Sequence, residues 1–121
     1  MAIASNSHSG LQGVYSSVNS GASYTTVYYN DTFCVNNLLS WDLGLPSTSC
    51  GGQGWYDLCI AVDPLNASNV IVGGVNNYYS ADGGVSWSLA TQWYGGVTGV
   101  STVHADKHWL SYNPVSYTHL T

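Results

Sequence analysis

Arginine and glutamate do not occur in this sequence, and its one basic residue is Lys107; against six aspartates this gives a formal charge of −5. A surface for nucleic acid needs several Lys or Arg to displace phosphate counterions, so a duplex or RNA partner is excluded for these residues. The same shortage rules out a polybasic patch for anionic lipid. Long apolar runs are also missing. None approaches the ~20 residues of a membrane-crossing helix, so no membrane insertion is expected. The opening Met1-Ala-Ile-Ala-Ser5 has neither the charged region nor the apolar stretch of a signal peptide. No segment carries helical periodicity, and no cofactor motif is present.

Cysteine is scarce and odd in number: Cys34, Cys50 and Cys59. Cys34 and Cys50 flank a loop-like segment, where they either pair across it or remain free thiols; Cys59 sits in an apolar run and reads as a buried thiol. Asn30-Asp-Thr and Asn66-Ala-Ser match the N-glycosylation pattern, which arises easily by chance in Asn/Ser/Thr-rich sequence.

What the chain does have is 14 Gly, ten Tyr and five Trp among many Ser, Thr, Asn and Val, in 121 residues that are 45% hydrophobic. That mixture favours strands and tight turns. Two motifs recur in alternation. Ser17-Val-Asn19-Ser-Gly21-Ala-Ser23-Tyr24 and Ser80-Ala-Asp82-Gly-Gly84-Val-Ser86-Trp87 share the pattern Ser-x-Asp/Asn-x-Gly-x-Ser-aromatic. Leu58-Cys-Ile-Ala-Val-Asp63-Pro64 and His108-Trp-Leu-Ser-Tyr-Asn113-Pro114 form a second pair, 50 residues apart (108 − 58). A supersecondary unit with a period near 50 suits a four-stranded propeller blade.

The expected fold is therefore all-β, a fragment of a β-propeller of four-stranded antiparallel blades with about two blades present. Residues 1–33 supply the last three strands of one blade: Ala2–Ser5, Val14–Ser17 and Ser23–Tyr28. Residues 34–54 form a long inter-blade loop rich in Ser, Gly and Asn. Residues 55–91 form a complete blade, with strands Leu58–Val62, Val70–Gly73, Asn77–Ser80 and Ser86–Ala90 and a hairpin turn at Asp82-Gly83-Gly84. Residues 92–114 give a Gly-rich connection and a first strand of the next blade at Trp109–Tyr112. The remaining blades of a full-length chain are then expected partners.

The motif Ser80, Asp82, Gly84, Ser86, Trp87 resembles the Asp box, or BNR repeat, of sialidases, sortilin-type propellers and xyloglucanase-like enzymes. It matches at every key position, whereas the earlier copy carries Asn19 for Asp and Tyr24 for Trp. The wider stretch from Gly52 to His108 resembles secreted bacterial BNR-propeller proteins. The resemblance covers roughly residues 1–114. It implies a secreted propeller, carbohydrate-active in the manner of a glycoside hydrolase, or else a non-catalytic propeller for binding, adhesion or sortilin-like peptide interaction. It also implies that Asp boxes lie on the edge away from the active face. The last residues, 115–121, resemble the translation of a sequencing adapter and read as a non-native tail.

Candidate chemistry gathers near the start of each inner strand. Asp57 and Asp106 are the candidate catalytic carboxylates, since a glycosidase needs two ~5–10 Å apart. Their registers differ by one against Asp63-Pro64 and Asn113-Pro114, and such a slip turns side chains to opposite faces. The arginine cluster and Tyr/Glu pair of sialidases cannot be built from residues that lack Arg and Glu. His104 and His108 suggest metal, but residues four apart on a strand lie ~13 Å from each other, so no metal is expected; they form either a polar cluster at a channel mouth or a buried, hydrogen-bonded structural cluster. Trp55, Tyr56, Trp93 and Tyr94, with Trp41, lie in or beside the connections. There they would stack on the sugar rings of a polysaccharide or glycan, or pack between blades.

Overall fold

A computed structural model describes residues 1–112. Among them there is no helix, and the strands form two antiparallel-built sheets. The first contains β1 (Ala2–Ser5), β2 (Leu11–Ser16) and β3 (Thr25–Tyr29), in that order. The second contains β4 (Cys59–Asp63), β5 (Asn66–Gly73), β6 (Asn77–Ser80), β7 (Ser88–Gln92) and β8 (Ser101–Thr102). β1 to β7 match the seven strands expected up to Ala90, within a few residues at each end.

The end of the chain differs from expectation. Trp109–Tyr112 is not a strand. The additional strand is β8, inside the expected connection, and it runs parallel to β7 through Thr91–Ser101 and Gln92–Thr102. Gln92 explains this: its buried amide accepts from Val97 N at 2.8 Å and donates to Val97 O at 2.8 Å and Val100 O at 2.6 Å. These bonds fold residues 93–100 back so that β8 returns along β7. Asn113-Pro114 and the 115–121 tail lie outside the described residues.

Both copies of the Ser-x-Asp/Asn-x-Gly-x-Ser-aromatic motif form the same turn. In the second, Ser80 Oγ accepts from Gly84 N at 2.9 Å and donates to Asp82 Oδ1 at 2.7 Å. Asp82 Oδ1 also accepts from Val85 N and Ser86 N at 3.1 and 2.9 Å, and Oδ2 accepts from Ser86 Oγ. In the first, Ser17 Oγ accepts from Gly21 N at 2.8 Å, and Asn19 Oδ1 accepts from Ser23 N at 2.9 Å. Gly84 and Gly21 both take left-handed φ, 99° and 87°, which is why glycine recurs there. Trp87 Nε1 donates to Gly84 O at 2.9 Å, and its ring meets Tyr28 of β3 edge-on at 6.1 Å. The turn of one sheet thus packs on the other.

A single core joins the sheets, and its centre comes from the long loop. Leu38 and Leu39 are buried with Leu11, Val14, Val72 and Tyr78. Residues 34–54 have no strand or helix, as expected of a loop, but this part of it is interior. Asn37, fully buried, accepts from Leu11 N at 2.8 Å and Leu39 N at 3.2 Å and donates to Ser49 O at 2.8 Å and Gly51 O at 2.9 Å. Beside it the Cys34–Cys50 disulfide is formed, and Gly10 packs so closely that a Cβ would collide with the Cys50 carbonyl. Cys59 is a buried free thiol.

Two outcomes are expected. Asn37→Ala strands backbone groups in the interior and lowers the unfolding free energy by about 3 kcal/mol, read from urea melts at unchanged m-value. Asp82 is held at a pKa of about 2, first by the Ser86 hydroxyl and amide and then by the Ser80 hydroxyl. Its depressed pKa makes its contribution complete above the ordinary value of 3.8 and lost as pH falls towards 2. Asp82→Ala therefore flattens the loss of stability between pH 4 and 2, measured by thermal melts across that range.

Candidate functional site

Hairpin order sorts the sheet's two ends. β4 begins, β5 ends, β6 begins and β7 ends at one end, while the Asp63–Asn66 and Asp82–Gly84 turns lie at the other. Nearly all the candidate side chains fall at the first end, away from the Asp82–Gly84 turn.

The segment before β4 turns tightly, with Tyr56 N and Asp57 N both donating to Gln53 O at 2.8 and 2.6 Å. This turn sends neighbouring residues opposite ways. Trp55 is 73% exposed and Tyr56 is exposed, whereas Asp57 is 0% exposed. Neither carboxylate oxygen of Asp57 has a hydrogen-bond partner among the described residues. His108 Nδ1 lies 4.0 Å from its Oδ1. Tyr56 meets the His108 ring edge-on at 4.5 Å and lies tilted at 37° against the Trp55 ring, 5.3 Å away.

The Lys107 ammonium anchors the segment that carries His108. Its buried Nζ donates to Val75 O at 2.6 Å and His104 O at 2.9 Å. His104 turns outward and pairs with Asp106 at 3.2 Å. Thus His104 and Asp106 form one exposed pair, and Asp57 and His108 a second, half-buried one. Burial, reinforced by the Asp106 charge, pushes the Asp57 carboxyl above its ordinary range, while His108 and Lys107 pull it back. Burial also lowers the Lys107 pKa, against the pull of Asp57, Cys59 and Asp106. No group of three or more metal-ligating side chains is assembled among the described residues.

The third group follows β7. Trp93 N donates to Asn76 Oδ1 at 2.9 Å, and Asn76 Nδ2 donates to Asp42 O at 2.9 Å. Trp93 Nε1 donates to Trp41 O at 3.1 Å. The rings run Trp41–Trp93–Tyr94 with centroids 5.4 and 4.6 Å apart, each pair edge-to-face. All three are exposed at their margins.

Lys107, Asn76 and Gln92 organise this end, and none was singled out from sequence. Lys107 carried a signal, since the only cation of an acidic chain lies between an Asp and a His. Asn76 and Gln92 carried none, because Asn and Gln are common in exposed loops. Compared with protein-family models, with curated protein sequences and with solved structures, the chain matches none.

Asp57 yields a pH prediction. An upward-shifted carboxyl lets the unfolded state ionise first, so stability falls as pH rises from 3.8 towards the folded value and the penalty then persists. Asp57→Asn is expected to melt above the parent at pH 7 and to converge with it below pH 4. A parent that is the more stable of the two at pH 7 would show that its ionised form is favoured.

Proposed function

We propose that this chain is part of a secreted Asp-box β-propeller whose end opposite the Asp boxes binds polysaccharide. Two copies of one hydrogen-bonded turn, on sheets that share a core, support a repeating unit. The disulfide supports an oxidising compartment. The observation that carries the reading is the aromatic surface. Trp41, Trp93 and Tyr94 form one run of rings, Trp55 and Tyr56 another, and both edge the same end of the sheet. Aromatic faces of this kind, already fixed by packing, suit the apolar faces of sugar rings.

Glycoside hydrolysis is the second reading, favoured by Asp57. A carboxyl raised by burial has the character of a general acid. Its oxygens are sealed from solvent, so in this conformation Asp57 reaches a substrate through His108, and Asp106 is the carboxylate open to solvent. Recognition therefore stands ahead of cleavage.

Native-gel retardation by soluble xyloglucan, mixed-linkage β-glucan and mucin tests the proposal. Retardation by at least one is expected, with Trp93→Ala and Trp55→Ala each weakening it about tenfold. Retardation by none, or the same retardation in both variants, overturns it. Reducing-sugar release that disappears in Asp57→Asn would establish the second reading.

A further inference from the structure

The disulfide and the β1–β2 turn enclose a pocket of about 460 Å³ at the corresponding end of the first sheet. Its walls are Asn6, His8, Gln12, Tyr29, the Asn30-Asp31-Thr32 stretch and the Cys34–Cys50 bridge. The volume lies within the ~300–1,000 Å³ of small-molecule sites. None of the aromatic surface residues lines it.

We infer that this pocket binds a single neutral sugar ring, a pyranoside held apart from the polysaccharide surface. Four observations point to that chemistry. The pocket holds no Lys or Arg, and the chain's one lysine ammonium is spent on Val75 and His104 carbonyls; His8 is the one lining side chain able to take positive charge for an anion. One aromatic ring lines it, that of exposed Tyr29, where an ammonium ligand calls for a cage of several. Its polar side chains are three amides (Asn6, Gln12, Asn30), two hydroxyls (Tyr29, Thr32), the His8 imidazole and one carboxylate, Asp31, whose Oδ1 accepts from Phe33 N at 3.0 Å. Such groups match vicinal sugar hydroxyls, which donate and accept at once.

The fourth observation is Asn30. It is 6% exposed, and its Nδ2 donates to Leu11 O at 2.9 Å. That bond uses the nitrogen of the apparent glycosylation sequon for structure. Its Oδ1 has no hydrogen-bond partner within the described chain. That oxygen is itself buried, so only a donor that displaces part of the wall reaches it, and a hydroxyl of a ring seated against Asn30 is such a donor. Asn6 holds the opposite rim in place, since its Oδ1 accepts from His8 N at 2.9 Å and Gly10 N at 3.2 Å.

Saturation-transfer NMR with methyl glycosides of glucose, galactose, mannose, xylose and N-acetylglucosamine, with choline as the ammonium control, tests the inference on the full chain. At least one glycoside is expected to saturate with a Kd on the order of 1 mM. Tyr29→Ala, at an exposed position, raises that Kd about tenfold. Trp93→Ala leaves it unchanged, which separates this site from the polysaccharide surface. Reduction of Cys34–Cys50 abolishes binding because the bridge is one wall. Saturation by no glycoside, preference for choline, or an unaltered Kd in Tyr29→Ala overturns the inference, whatever the polysaccharide gels show.

Discussion

The architecture depends on one buried side-chain amide. Asn37 has two acceptor and two donor contacts, all to backbone, and no exposure. It ties the long loop to the start of β2 and closes that loop on itself near Ser49 and Gly51. With its backbone fixed, Leu38 and Leu39 enter the space between the sheets and meet Val72 and Tyr78 from one and Leu11 and Val14 from the other. Neither sheet alone could bury a three- or five-stranded face. The loop supplies the missing layer, and one amide sets its position.

The same device recurs at several of the chain's turns, while Asp31, Asp42, Asp63 and Asp82 hold others. Having almost no charge of one sign, the chain builds the former from neutral side chains bonded to backbone: Ser80 and Ser17 in the two matching turns, Gln92 after β7, Asn76 between β5 and β6. The two turns show what the Asp contributes. The Asp82 carboxylate only accepts and gathers bonds from Ser80, Val85 and Ser86. Asn19 must donate from its nitrogen to Ser23 Oγ, at 2.7 Å. The fold of the turn survives because the Ser and Gly contacts are shared, while the aromatic that follows differs in fate. Trp87 packs on Tyr28 in the core, whereas Tyr24 is exposed.

Strand positions were legible because β propensity, Asp-Pro and Gly-Gly punctuation and an internal repeat all agreed along residues 1–92. The repeat failed as a guide at Trp109–Tyr112. There a likeness to Leu58–Val62 promised a strand, but the pairing after β7 is set by the Gln92 amide, which has no local pattern. Leu38-Leu39 was hidden for a similar reason. An apolar pair inside a Ser/Asn/Gly segment is too short for periodicity to place, and its burial follows from a hydrogen bond to a residue 26 positions away. Among candidate site residues, Trp55 with Tyr56 and Trp93 with Tyr94 are neighbours along the chain, and each pair's rings are in contact. Which of the acids faced inward was not readable, because the tight turn at Gln53–Asp57 breaks the two-residue alternation from which register arguments start.

The lone lysine then acquires a structural meaning. A buried ammonium is costly unless its donors are satisfied, and here two carbonyls take two of the three, one from the β5–β6 turn and one from its own segment. The turn residue next to Val75 is Asn76, which receives Trp93 and reaches the Trp41 loop through Asp42. Two adjacent residues therefore hold the His108–Tyr56–Trp55 group on one side and the Trp93–Tyr94–Trp41 group on the other. Trp55 and Tyr56 are directed by their own turn at Gln53, and both aromatic runs are also tied to the same short hairpin of the second sheet. Rings fixed in this way lose little freedom when they meet a ligand, so affinity rests on their spacing instead of on the ordering of mobile loops.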